Sequence, residues 1–385
     1  MRAIKVITVL AWVVIAAVVI GVAGWFISGT IFGLRPGWLD LNVPFNIGIG
    51  GIESLSGPFN VVGETSLDTA GIDSINVDWV SGEITVVVHT GNEIEITERA
   101  QRSLHDDERM HVTIVGSTLN IGFVDSSIRG RIGRMPQKRL EILVPTQLAS
   151  QLQSLNISAT SSVISVDGFT ADAVDIGSTS GALNIENINA NTFTASALSG
   201  RVTITNINAD NLALSSTSGS ITAGTIQSGT FEVNALSGPV NITRASAQML
   251  DIGATSGTVR AEGAFEDADI RTLSGQININ NSYTSSSFKA SSTSGAIRVE
   301  GAFYSVDISS LSGAQTIESI IVPTTLSVSA TSGRVQLTIP NDGSVTVSQS
   351  STSGRFNSEI PIITQSSGAQ FTFSTLSGNV DIFAR

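Results

Sequence analysis

A Thr/Leu-Ser-Gly tripeptide recurs from residue 179 onward, and its regular spacing restricts the possible folds more than any other feature. The first four intervals between repeats are 19 residues each, and the later ones range from 18 to 24. Alternating apolar and polar residues flank each repeat, as in Val202-Thr203-Ile204, and such alternation indicates strands with one buried face. The sequence therefore predicts an all-β fold, a parallel β-solenoid (β-helix-like) of Ser-Gly-centred repeats. The repeat glycines are Gly181, Gly200, Gly219, Gly238, Gly257, Gly275, Gly295, Gly313, Gly333, Gly354 and Gly378.

Each repeat glycine separates two half-strands, so we predict that it occupies a tight corner. A backbone with positive φ is readily adopted only by a residue that lacks a Cβ. The eleven glycines are therefore predicted to be structural. The serine before each glycine is predicted to bond the turned backbone.

The residue before Ser-Gly alternates between threonine and leucine through most of the array. Each rung of a solenoid repeats the environment of the rung below, so like side chains are expected to stack on like. The alternation predicts two 19-residue units in each coil, with Leu198, Leu236, Leu273 and Leu311 in one buried column. The alternative is one unit per coil, with threonine and leucine mixed in a single column.

Residues 6–27 form an uninterrupted stretch of 22 residues without a charge. As a helix this stretch would be ~33 Å long, enough for the ~30 Å hydrocarbon core of a bilayer. Arg2 and Lys5 precede it, so the positive-inside rule predicts a single-pass membrane protein with a cytoplasmic N terminus and an extracytoplasmic β domain. The alternative is a cleaved signal peptide, with small residues at 21–23.

The chain divides into four predicted segments. Residues 1–28 hold the cytoplasmic tip and the transmembrane anchor, and residues 29–73 hold a juxtamembrane linker with lead-in strands. Residues 74–150 form an irregular first part of the β domain that contains a basic loop. Residues 151–385 form the regular solenoid, and no helix of useful length is predicted after residue 40.

The composition excludes several classes of function. The formal net charge is −12, whereas nucleic-acid binding needs a basic face. The absence of cysteine excludes disulfides, thiolate catalysis and cysteine-ligated metals. All three histidines, His89, His105 and His111, precede the repeats, so a Ser-His-Asp arrangement with the repeat serines is not expected. We predict no catalytic residue, cofactor or metal, and interpret the His-Asp-Asp-Glu sequence at residues 105–108 as a solvated hairpin tip.

Basic residues cluster in one segment that is punctuated by glycine and proline. In an otherwise acidic protein this run could contact anionic headgroups or wall polymers, since each charge near a membrane contributes ~1 kcal/mol. The alternative is an ordinary exposed loop. The basic residues are Arg129, Arg131, Arg134, Lys138 and Arg139.

Three features of the sequence carry a resemblance to a known family. They are the Ser-Gly units, the apolar N-terminal stretch and the carboxy-terminal sequence Phe-Thr-Phe-Ser-Thr-Leu-Ser-Gly-Asn-Val-Asp-Ile at residues 371–382. Over roughly residues 74–385 the chain resembles the bacterial Toastrack family of β-strand-repeat proteins, also called the "putative adhesin" family. The resemblance implies a parallel β-helix-like domain. It also implies an association with membrane segments and envelope-stress proteins, and it implies no functional residue.

These observations predict a non-enzymatic, membrane-anchored cell-envelope protein whose solenoid is a surface for binding, adhesion or scaffolding. Its expected partners are the membrane through residues 6–27, envelope proteins and cell-wall glycans. Tyr283 and Tyr304 are candidates for stacking on glycans, although single tyrosines in strands commonly serve only packing. The alternatives are an envelope-stress sensor or regulatory subunit that signals through a membrane partner, and a β-helix enzyme that acts on polysaccharides.

Overall fold

The computed structural model describes residues 51–52, 57–124, 134–342, 344–363 and 368–385. These residues are almost entirely β-structure. The helices among them are α1 (Thr146–Ala149) and a 3-10 turn (Asp106–Glu108), which agrees with the prediction of an all-β fold. None of the described helices has the length and apolar character needed to cross a membrane. The predicted anchor at residues 6–27 lies outside the described residues.

The regular part of the chain is a stack of parallel strands, with one repeat unit in each coil. Leu183 pairs with Val202, and Val202 pairs with Ile221, so successive rungs are 19 residues apart. The strands are β9 (Leu152–Asp167), β10 (Thr170–Ser178), β11 (Leu183–Ala197), β12 (Val202–Ser216), β13 (Ile221–Ala223), β14 (Ile226–Ala235), β15 (Val240–Ala254), β16 (Val259–Thr272), β17 (Ile277–Ser292), β18 (Ile297–Ser312) and β19 (Gln315–Ser319).

Each coil contains three runs of paired residues. In β11 these runs are residues 183–186, 188–190 and 192–197, and Asn187 lies between the first two with φ 54°. Alternate residues point inward and stack on the same position of the next coil, as Phe193 does on Leu212 and Leu212 on Phe231. All three are buried. Burial of such side chains, at about 1.5–3 kcal/mol each, provides the main stabilisation of the solenoid.

The prediction of two units per coil is wrong. The backbone N–H of Ser218 donates to the carbonyl of Leu198, and that of Ser237 donates to the carbonyl of Thr217. Thr217 therefore lies between Leu198 and Leu236 in one mixed column. The position points outward: Leu198, Leu236 and Leu273 are half-buried, and Leu311 is 54% exposed. Because an outward leucine gains less from burial than an inward one, a separate leucine column is not favoured.

The repeat glycines are required by a close approach between coils. A Cβ on Gly200 would lie 1.7 Å from the carbonyl oxygen of Gly181, and every repeat glycine meets a backbone oxygen of the adjacent coil at 2.5 Å or less. The predicted positive φ is found, between 150° and 158°, at only four of them, so it is not the general reason. Those four are Gly257, Gly313, Gly333 and Gly354.

At several of these corners, a buried serine three residues before the glycine forms a hydrogen bond with the backbone. Ser178, Ser216 and Ser292 each accept a hydrogen bond from the N–H of the following glycine, at 2.8, 2.9 and 2.8 Å between Oγ and N. This is the role that the sequence suggested for the serine next to the glycine. That adjacent serine instead points outward, as Ser199 and Ser218 do.

Parallel and antiparallel strands together cover the N-terminal end of the solenoid. Strand β3 pairs along one edge with β9, and its other edge pairs with β6 and β8. Strand β4 lies antiparallel to β8, β2 lies antiparallel to β4, and β5 lies antiparallel to β6. The strands of this part are β1 (Gly51–Ile52), β2 (Asn60–Asp68), β3 (Ser74–His89), β4 (Glu93–Ala100), β5 (His111–Val115), β6 (Thr118–Gly122), β7 (Arg134–Met135) and β8 (Lys138–Pro145).

At the other end, the last coil of the chain is not the last rung. Strand β25 lies between β20 and β22, and β26 lies between β21 and β23. The inward residue Phe373 of β25 is buried, whereas Gln349, its neighbour in β22, is exposed. The more apolar coil therefore lies inside the stack, and the more polar coil forms the end of the stack. The strands are β20 (Thr325–Ser332), β21 (Val335–Ile339), β22 (Val345–Ser353), β23 (Phe356–Ser358), β24 (Ile362–Ile363), β25 (Ala369–Ser377) and β26 (Val380–Ala384).

Candidate functional site

The outward positions of the third run in each coil form a continuous polar surface, which we call the hydroxyl face. In β11 they are Thr192, Thr194 and Ser196. Because the coils are in register, each position becomes a column that runs along the solenoid. The column that contains Ser196 is dominated by serine, and its members are half-buried or exposed. Its serines are Ser158, Ser196, Ser215, Ser291, Ser309, Ser329, Ser374 and Ser350. Gly177 separates the first two, and Asn234, Gly253 and Arg271 occupy the column between Ser215 and Ser291.

Carboxylates occupy the neighbouring column in the middle of the hydroxyl face. Glu232, Asp251 and Asp269 lie on successive coils, followed by Lys289 and Asp307. A row of hydroxyls beside a row of carboxylates offers many hydrogen-bond acceptors and rotatable O–H donors to a ligand.

Arg271 bridges two of these carboxylates. Its Nη1 lies 3.3 Å from Oδ1 of Asp251, and its Nη2 contacts Oδ2 of Asp269. Burial raises the pKa of both carboxyl groups, and Arg271 opposes that increase. Within the described part of the chain, no group of three or more histidine and acidic residues has an arrangement that could hold a metal ion.

Amide side chains form ladders at the corners beside the second run. Nδ2 of Asn208 donates to Oδ1 of Asn189 at 2.8 Å, and Nδ2 of Asn191 donates to Oδ1 of Asp172 at 3.0 Å. Asn206 donates to Asn187 in the same manner, at 2.5 Å. These bonds join coils to one another, so their first role is structural.

The proposed basic contact site is not a single exposed cluster. Arg129 and Arg131 lie outside the described residues, and Arg134 is described only through its backbone, which pairs with Gly51. Arg139 is exposed, and its guanidinium lies 3.1 Å from a carboxylate oxygen of Glu83 and 4.3 Å from the ring centroid of Phe59. Of the five residues, only Arg139 is described with a side chain at the surface.

Lys138 is buried, so its assignment to an anionic-surface contact is wrong. Its Nζ lies 2.7 Å from Oε1 of Glu98, with both side chains fully buried, and 4.0 Å from the ring centroid of Phe123. Burial lowers the pKa of Lys138 to about 8, and Glu98 opposes that decrease. The alternation of strand residues could have predicted that Lys138 is buried, because Lys138 shares its face of β8 with the buried residues Leu140 and Ile142.

The sequence at residues 105–108 is only partly a solvated tip. His105 is exposed, but Glu108 is buried and accepts two hydrogen bonds of 2.7 Å from Arg102 and one of 2.9 Å from the N–H of His105. The bond from Arg102 is the main reason that the pKa of Glu108 falls to about 2. At the turn between β3 and β4, Nε2 of His89 lies 2.9 Å from the carbonyl of Glu93. These groups stabilise the N-terminal end.

The stacked coils and their polar outer columns define the protein as an all-β solenoid with extended hydroxyl-rich surfaces. The chain belongs to the Toastrack DUF4097 family, whose model matches residues 72–264, 190–319 and 263–382. A search of curated proteins found no match.

Solved structures provide further similarities. A "putative lipid binding protein" from Parabacteroides distasonis ATCC 8503 is 16% identical, with a TM-score of 0.45, over 62% of this chain and 96% of that chain. A second protein from that organism, a "putative adhesin", is 13% identical with a TM-score of 0.44, over 67% and 97%. A "putative adhesin" from Parabacteroides merdae ATCC 43184 is 12% identical with a TM-score of 0.42, over 65% and 95%.

Proposed function

We propose that this protein is a non-enzymatic, membrane-anchored binding module of the cell envelope and that the hydroxyl face is its binding surface. The observation that carries the proposal is the register of the coils, which turns single serines, threonines and carboxylates into columns that run along the solenoid. An extended ligand that repeats along its own length matches such a surface, because several successive coils offer serines in register and the coils of β14 to β16 offer carboxylates in register.

The side chains of the face favour binding over catalysis. Asp251 and Asp269 share Arg271, so they do not form a pair of free acid and base. The serines of the face have no histidine of the repeats beside them, since all three histidines precede the repeats. Hydroxyl nucleophiles need an adjacent base.

Anchoring is part of the same proposal. Residues 6–27 would hold the chain in the membrane, with the N terminus in the cytoplasm and the β domain outside. Protease added to intact cells should then remove the β domain from full-length protein in the membrane fraction. A β domain that is digested only after lysis would contradict the proposed orientation.

Binding is tested by capture of envelope material on full-length protein, solubilised in mild detergent and immobilised through a C-terminal tag. Ser196→Arg and Ser215→Arg place bulky charges on the hydroxyl face and should abolish capture. Thr203→Arg and Thr222→Arg, at outward positions of the first run, are the matched controls and should leave it unchanged. Equal capture by both pairs of variants would exclude the hydroxyl face, and no capture by the wild type would exclude the function.

A further inference from the structure

We infer that Tyr283 and Tyr304 form a stacking site for an uncharged glycan. This inference rests on the proposed binding function and specifies its ligand. The two residues are the only tyrosines in the chain, and their side chains are 54% and 55% exposed. The neighbouring aromatic residues Phe265, Phe288 and Phe303 are fully buried, so packing accounts for them and not for the tyrosines.

Tyr283 lies on a bulge that interrupts the regular array. Asn281 pairs with Gly301 and Thr284 pairs with Ala302, so two residues of β17, Ser282 and Tyr283, have no partner in β18. Such a bulge redirects the side chains that it carries. The bulge therefore turns a strand residue into an exposed one.

The side chain of Asn281 holds the bulge in place. This buried residue donates from Nδ2 to the carbonyl of Phe265 at 2.9 Å, and its Oδ1 accepts from the N–H of Phe265 at 2.8 Å and from the N–H of Tyr283 at 3.4 Å. A buried amide with its hydrogen bonds satisfied rigidifies its surroundings.

Two serines fix the bulge on the coil below. Ser282 donates to the carbonyl of Gly263 at 2.8 Å, and the buried Ser285 donates to the carbonyl of Glu266 at 2.9 Å. Tyr283 is thus presented on a rigid base, which reduces the entropy lost when a ligand binds.

The two tyrosines lie on adjacent coils, Tyr283 at the corner between the first and second runs and Tyr304 at the corner between the second and third runs. The two positions are about three residues (~10 Å) apart along the path of the coil and one rung (~4.8 Å) apart along the solenoid. Gly301 and Ala302 are buried beside Tyr283, and the N–H of Ile320 donates to the carbonyl of Gly301 on the far side. Ile320, on the coil that follows Tyr304, is 52% exposed.

The polar groups near Tyr304 favour an uncharged ligand. Glu266, Ser286 and Thr324 are exposed at the same corner as Tyr304 on neighbouring coils, and Asp267 accepts from the N–H of Ser287 at 2.9 Å. Carboxylates and hydroxyls both bind sugar hydroxyls, and the carboxylates repel anionic polymers. The apolar face of a sugar ring stacks on an aromatic ring, and a tyrosine also offers its hydroxyl.

The test is affinity electrophoresis of the full-length protein in native, detergent-containing gels with dextran, galactomannan or the anionic polysaccharide alginate. At least one neutral polysaccharide should retard the wild type. Tyr283→Ala and Tyr304→Ala should each weaken that binding about tenfold. Tyr283→Phe and Tyr304→Phe should retain most of it, because the ring is kept. Leu311→Ala, which removes another exposed apolar side chain from the solenoid at a position outside the hydroxyl face, is the matched control and should have no effect.

Three results would overturn the inference. They are retardation that is unchanged in both Tyr283→Ala and Tyr304→Ala, no retardation by dextran or galactomannan, and retardation by alginate alone. If envelope capture through the hydroxyl face persists in any of these cases, the binding function stands and only the tyrosine site fails. Loss of envelope capture by the wild type would reject the function itself.

Discussion

Gly219 lies directly against the backbone of Gly200 in the coil before it: a Cβ on Gly219 would be 1.8 Å from the Gly200 carbonyl oxygen. The same relationship links Gly200 to Gly181 and Gly238 to Gly219. The glycines therefore form a ladder in which each allows the next coil to approach.

Gly219→Ala should destabilise the protein by about 3 kcal/mol, because the coil must shift to accommodate the added methyl group. Gly177→Ala is the matched control, since its Cβ would meet only the Oγ of Ser196 at 3.3 Å, and that hydroxyl can rotate away. The midpoints of urea denaturation of the two full-length variants provide the comparison. Equal midpoints would show that the ladder tolerates a side chain.

The glycine ladder illustrates what a sequence reveals about a solenoid. The spacing of Ser-Gly predicted strands, stacking and the structural role of the glycines, because a repeat imposes the same local environment each time. It did not distinguish a corner that needs positive φ from a close approach between coils. Both exclude a Cβ, and only the register in space separates them.

The buried Lys138–Glu98 pair supports a second prediction. Lys138→Met should cost about 3–5 kcal/mol, because it leaves the Glu98 carboxylate buried without its cation. Arg139→Met, one residue away, breaks an exposed ion pair with Glu83 and should cost about 1 kcal/mol or less. Thermal unfolding of both variants tests this, and similar losses would argue against the buried pair.

Acid should destabilise the N-terminal end through Glu108. The folded-state pKa is about 2, below the ordinary value of 4.5, so the unfolded chain binds more protons as the pH falls. The contribution of the Glu108 carboxylate to the stability of the folded protein is fully present above pH 4.5 and is lost as the pH falls towards 2. Glu108→Gln should therefore be less stable than the wild type at pH 6 and lose less stability on acidification.

Chemical denaturation of the wild type and Glu108→Gln at pH 6 and pH 2.5 measures this difference. Asp107→Asn is the control, because Asp107 is exposed on the same turn. A wild type whose stability falls no more steeply than that of Glu108→Gln would contradict the role of the Arg102 bond.

Some features depended on spatial order that local patterns do not encode. The Thr/Leu alternation suggested buried leucines, but Leu311 is exposed, because its position points outward from the coil. The exposure of Tyr283 depends on the Asn281 bulge, and nothing in the local sequence distinguishes that asparagine from those of the corner ladders. The insertion of β25 between β20 and β22 could have been suspected from the polar Gln349 and Ser351 at inward positions.

The final prediction concerns this change in coil order. Phe373 and Gln349 occupy the same inward position on adjacent rungs, but Phe373 is buried and Gln349 is exposed. If β25 lies inside the stack, Phe373→Ala should cost about 3–5 kcal/mol, as for a core phenylalanine. Gln349→Ala at the end rung should change stability by about 0.5 kcal/mol or less. In a stack that followed chain order, β25 would be the last rung, and Phe373 would be partly exposed. A Phe373→Ala loss near 1 kcal/mol, with a larger loss for Gln349→Ala, would therefore favour the sequential order.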